Sequence, residues 1–137
     1  MAVAKTARGG AKAGRPLSPH LQVYRMTVSM LMSILHRITG AALYFGTLLL
    51  AWWLVAAATG PAYFDYVSRI MGSLPGRLVL LGFTWALVHH ALGGLRHFLW
   101  DTGRGYELKT IDLLAWLTIL LSLAITALVW AGALWLE

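Results

Sequence analysis

The 137-residue chain has no cysteine, and Asp, Glu, Lys and Arg together make up only 12% of it, about half the share in an average soluble chain. Without thiols there is no disulfide, no thiolate metal site and no thiol nucleophile, so any metal chemistry must run through histidine or carboxylate. The lack of charge excludes a water-soluble shell. With 59% hydrophobic residues and a mean hydropathy of +0.71, the composition implies an integral membrane protein.

Charge is also missing where it would matter most. Residues 38–64, 78–95 and 113–136 contain no Asp, Glu, Lys or Arg. A bilayer-crossing helix needs roughly 20 predominantly apolar residues, and lipid-exposed backbone must satisfy its own hydrogen bonds. Three transmembrane helices are therefore expected, over about 33–58, 76–100 and 112–136. Having no carboxylate inside these spans weighs against a proton-coupled transporter.

The basic residues that remain give a net charge of +6, but they flank apolar spans instead of forming a nucleic-acid patch. They set topology. Nine of them (Lys5, Arg8, Lys12, Arg15, Arg25, Arg37, Arg96, Arg104 and Lys109) fall on one side and two, Arg69 and Arg77, on the other. This places the N-terminus in the cytoplasm and the C-terminus outside. Residues 1–15, rich in Ala, Gly and Lys/Arg, are expected to form a disordered, solvated cytoplasmic tail, with anionic lipid as a second reading. No apolar stretch follows them that would make a signal peptide. Residues 16–32 are expected to run along the membrane surface, where Pro16 and Pro19 prevent an early helix and Tyr24 sits among headgroups.

Ionisable residues within the spans are costly and usually functional, and here they are basic: His36 and Arg37 in the first span, and His89, His90, Arg96 and His97 in the second. Counted from Arg77, His90 lies roughly 20 Å into the apolar layer at about 1.5 Å per residue. A neutral imidazole at that depth either bonds a neighbouring helix or ligates a haem iron, which needs a dry, flat slot. Gly93 and Gly94 remove side-chain bulk beside it, as they would also at an ordinary helix contact. His89 and His90 project about 100° apart, so only one can face a given cofactor. No second deep histidine exists on the other spans, and a second axial ligand must come from another subunit.

Antiparallel pairing of the first two spans brings His36 and Arg37 level with Arg96 and His97. Guanidiniums at that level suit haem propionates or, equally, lipid phosphate. Ser33, one turn before Arg37, shares its helix face. The pair can hold a quinone carbonyl, although serine more often bonds its own backbone.

Three ordered motifs complete the reading: RPLSPHLQVYR (15–25), SILHRITG (33–40) and HALGGLRHFLWD (90–101). Together they closely resemble the cytochrome b membrane-anchor subunits of succinate dehydrogenase, over roughly residues 15–130. The resemblance implies an all-α membrane fold, three helices pairing with a second hydrophobic anchor subunit into a bundle around a shared haem b. It implies respiratory complex II, in which a flavoprotein subunit (FAD) and an iron–sulfur subunit deliver electrons from succinate to ubiquinone. His90 then matches the axial ligand of the haem iron, and His36 and Arg37 the positions near the haem propionates. Ser33 and Arg37 match the quinone pocket, and His97 and Asp101 a possible proton route. The segment before the first span would meet the iron–sulfur subunit, in a bacterial inner membrane. The chain itself would carry out no covalent catalysis. A fumarate reductase anchor and a cofactor-free structural adaptor are the alternatives.

Overall fold

The computed structural model describes residues 25–136. The expected tail, and the surface segment as far as residue 24, lie outside the described residues. Four helices follow in order: α1 (Val28–Thr59), α2 (Pro61–Gly72), α3 (Leu74–Asp101) and α4 (Leu108–Trp135). Three of them, α1, α3 and α4, are long and apolar enough to cross a membrane. The chain is a multi-pass, all-helical membrane protein.

Local chemistry sets the helix ends. Thr27 caps α1, its side chain accepting from the Met30 amide, so helix already covers the last residues of the expected surface segment. At 32 residues, α1 runs to about 48 Å, well beyond a hydrocarbon core of about 30 Å. It stops at Gly60, whose φ of 142° is costly for any residue with a Cβ. Pro61 then opens α2, at a position where its missing N–H costs nothing. Ser73 caps α3 by accepting from the Gly76 amide.

The short helix α2 falls where only a loop between spans was expected. It packs on α1 and α3, and Trp52 of α1 donates its indole N–H to the Tyr63 hydroxyl at 2.9 Å.

Helix α3 packs between α1 and α4, and α1 also touches α4. Few large side chains are buried. The enclosed positions are mainly small or hydroxylic: Thr39, Gly46 and Ala56 on α1, Ala86 and Gly93 on α3, and Ala115, Thr118, Ser122 and Thr126 on α4. Lipid is as apolar as leucine, so membrane helices associate through close backbone approach instead of by hiding leucine. The buried hydroxyls satisfy themselves locally, as where Thr118 donates to the Leu114 carbonyl at 2.7 Å and Thr126 to Ser122 at 2.7 Å. The large apolar side chains, among them Tyr44, Phe45, Leu48, Leu95 and Phe98, face outward.

Candidate functional site

The contacts between α1 and α3 fix an antiparallel register. A Cβ on Gly93 would lie 2.5 Å from His36 Nδ1, and one on Gly46 would enter the Phe83 ring. Ten residues along α1 thus correspond to ten residues back along α3. This register brings three histidines together. The rings of His36 and His90 stack at 4.0 Å with 2° between their planes, and His97 lies 5.2 Å from His36. The Gly93 backbone makes room for the His36 ring, which is a firmer role than the general loss of bulk its sequence suggested.

The two neighbouring histidines on α3 part company. His89 turns to α4, 1% exposed, with Nδ1 3.2 Å from Ser122 Oγ. The Ser122 hydroxyl also reaches the Ile119 carbonyl at 2.9 Å. His89 Nε2 is buried without a partner among the described residues. The Trp85 ring lies 5.1 Å away, its indole N–H likewise buried and without a partner there.

His90 turns to α1 and is only half-buried. Its Nδ1 lies 3.1 Å from the main-chain carbonyl of His36. A carbonyl can only accept, so the ring proton is on Nδ1 and the lone pair is on Nε2. No hydrogen bond engages that Nε2 among the described residues. Beyond His90, one turn along α3, Ala86 lines a cleft of about 540 Å³ between α1 and α3, whose walls include Thr39, Ala42, Gly46 and Gly82. An imidazole lone pair free of hydrogen bonds, one turn along α3 from an apolar cleft lined by both small and aromatic side chains, fits a flat prosthetic group bringing its own equatorial ligands. Among the described residues no three His, Asp or Glu side chains converge as a metal-binding group, so His90 would act as a single imidazole.

The remaining expected residues divide by exposure. Ser33 and Arg37 are both exposed, one turn apart on α1, while His36 between them is half-buried against α3. Exposed Asp101 closes α3, one turn beyond the exposed His97. Arg96 differs from its expected place at the membrane edge. It is 6% exposed, its guanidinium 5.1 Å from the Trp100 ring, with a buried Nε that has no partner among the described residues. Thr39, which the motif reading passed over, lies 3.3 Å from His90 Nδ1. Its spacing from His36 was visible in the sequence, but its neighbour across the helix interface was not.

The sequence that builds this cluster is similar to that of known proteins. A model of the succinate dehydrogenase/fumarate reductase transmembrane subunit family matches residues 11–129. The succinate dehydrogenase cytochrome b556 subunit of Paracoccus denitrificans is 48% identical over 98 residues, covering 72% of this chain and 75% of that one. Its counterpart in Rickettsia felis is 34% identical over 116 residues, covering 85% and 90%. The mitochondrial cytochrome b560 subunit of Sus scrofa is 33% identical over 123 residues, covering 83% and 71%. The family match covers α1 and α3 whole, with both histidine motifs, and α4 as far as residue 129, and the chain belongs to the succinate dehydrogenase/fumarate reductase transmembrane subunit family.

Proposed function

We propose that this chain is the haem b-binding membrane anchor of a succinate:ubiquinone oxidoreductase in a bacterial inner membrane, with its N-terminus cytoplasmic and its C-terminus periplasmic. The observation that carries the reading is His90: its Nδ1–H is tied to the His36 carbonyl at 3.1 Å, leaving Nε2 free of hydrogen bonds among the described residues. His90 holds the haem iron together with a ligand from a second hydrophobic anchor subunit. His36 and Arg37 meet the propionates. When bound, the haem supplies a one-electron reservoir whose potential follows its axial ligands and the surrounding dielectric.

Ser33 and Arg37 form the quinone side. Both are exposed on one face of α1, where a hydroxyl and a guanidinium can donate to a quinone carbonyl and orient the ring. Reduction takes up two electrons, which reach the quinone from succinate through the flavoprotein and iron–sulfur subunits, and two protons. Arg37 stabilises the developing negative charge on the carbonyl oxygen but does not protonate it, since a guanidinium keeps its proton at any working pH. Water delivers the protons, with His97 and Asp101 marking a route from the cytoplasmic surface. The segment before α1 meets the iron–sulfur subunit.

Reduced-minus-oxidised difference spectroscopy on the purified complex, combined with succinate-driven ubiquinone reduction, tests this. A b-type spectrum and quinone reduction are expected. A complex without Soret absorbance would instead support the cofactor-free adaptor, a reading favoured by one observation, that His89 and His90 each bridge to a neighbouring helix. The same anchor design serves a fumarate reductase, because the partners' potentials set the direction.

A further inference from the structure

Thr39 is 1% exposed, wedged where α1 meets α3. Its hydroxyl lies 2.8 Å from the Leu35 carbonyl, 3.0 Å from the His36 carbonyl and 3.3 Å from His90 Nδ1. A hydroxyl has one hydrogen, and here both carbonyls can only accept, so the hydrogen goes to one of them. The oxygen lone pairs stay free, and His90 Nδ1–H is the donor facing them. That N–H is thus shared between two acceptors, the His36 carbonyl and Thr39 Oγ1. The next residue also lies close to the ring, since a Cβ on Gly40 would stand 3.0 Å from His90 Cε1.

Other buried hydroxyls of the bundle give a built-in comparison. Thr118 bonds the carbonyl one turn before it, as Thr39 does, but makes no hydrogen bond to an imidazole among the described residues. Valine would fill either position almost as well. What valine could not replace at residue 39 is the second acceptor.

We propose that Thr39 is a positioning residue for the axial imidazole: by sharing the Nδ1 proton of His90 it fixes the ring's rotation and strengthens electron donation from Nε2. The proposal rests on the reading of His90 as the haem ligand. Acceptors behind a metal-bound imidazole raise its basicity, and a more basic axial ligand favours the ferric over the ferrous state. The His36 carbonyl belongs to the backbone and is present whatever the side chain. The Thr39 hydroxyl is the part of this arrangement that the sequence can tune.

The test is a potentiometric titration of the haem in the whole membrane complex, with its low-spin electron paramagnetic resonance spectrum. Thr39→Val should retain the haem and its low-spin state while shifting the midpoint to a more positive value and moving the g values. Thr39→Ser should restore both, and Thr118→Val should leave both at wild type. If Thr39→Val does not assemble, Thr39→Ala removes the same acceptor without adding bulk and should show the same shift. A wild-type titration in whichever of these deletion variants assembles, or an equal shift in Thr118→Val, overturns the proposal. His90→Ala run alongside separates the two levels. If it keeps an unchanged haem spectrum, the ligand assignment falls and the role of Thr39 with it. If it loses the haem while Thr39→Val titrates as wild type, only the role of Thr39 is lost.

Discussion

The two sides of α3 carry neighbouring histidines into opposite circumstances. Towards α4, His89 is enclosed by its own chain, bonded to Ser122 and set against Trp85. Towards α1, His90 is half-buried, bonded to a backbone carbonyl, and keeps its other ring nitrogen free of hydrogen bonds among the described residues. Both rings have a partner at Nδ1 and none at Nε2 among the described residues, so hydrogen bonding does not distinguish them; access does. In a thin membrane subunit the most deeply buried polar residue belongs to the scaffold, because a cofactor shared with another chain needs a side that the chain's own helices leave open. Ser33 and Arg37 follow the same rule, on the exposed face of α1.

The largest test of this contrast is His90→Ala. The complex should lose its b-type difference spectrum when normalised to bound flavin, because the other imidazole that α3 turns towards α1, His97, is exposed and lies two turns nearer the end of the helix. Retention of the spectrum would erase the distinction between the two sides. The next effect is kinetic. A hydrogen bond to a charged group contributes about 1.5–3 kcal/mol, so Arg37→Ala should slow succinate–ubiquinone reduction about tenfold or more. For Ser33→Ala, a neutral bond of about 0.5–1.5 kcal/mol predicts a loss of a few-fold. Succinate oxidation by an artificial dye should stay near wild type in both. Equal losses in the two assays would show that these residues serve assembly instead of the quinone.

Much of this arrangement is legible along the chain, and the part that is not has a common cause. Uncharged stretches locate α1, α3 and α4, yet every helix begins earlier than hydropathy suggests. Helix α4 starts at Leu108 and takes in Lys109 and Asp112, since a helix need not stop where the apolar layer does. Helix α2 escapes a search for long apolar runs because it has only 12 residues, although Gly60-Pro61 marks its start. The motif spacing selects His90, but it cannot show that Nδ1 meets the carbonyl of His36. That contact depends on the register of α1 against α3, which is written in pairs such as Gly93–His36 and Gly46–Phe83 and not in either helix alone. Thr39 and Arg96 illustrate the same cause. Thr39 looks ordinary in its own helix and faces an imidazole N–H across the interface, and Arg96, expected at the membrane edge to suit haem propionates or lipid phosphate, is closely enclosed.

The smallest expected effect belongs to the other side of α3, and it tests the contrast most sharply. His89→Leu removes the bond to Ser122, and interhelical hydrogen bonds in membranes average about 0.6 kcal/mol. The Ser122 hydroxyl keeps its bond to the Ile119 carbonyl, so no new polar group is left unpaired in the interior. The same substitution removes the buried Nε2, which has no partner among the described residues and whose desolvation counts against the native fold. These contributions oppose each other, so the complex should unfold within about 1 kcal/mol of wild type, with haem content and midpoint unchanged. Thermal denaturation followed by Soret absorbance measures both at once. Loss of haem in His89→Leu comparable to that in His90→Ala would mean that the enclosed imidazole, and not the open one, governs the cofactor. Two histidines adjacent in sequence make this a demanding comparison, since they share a depth and a helix and differ in the direction they face and the access that follows from it.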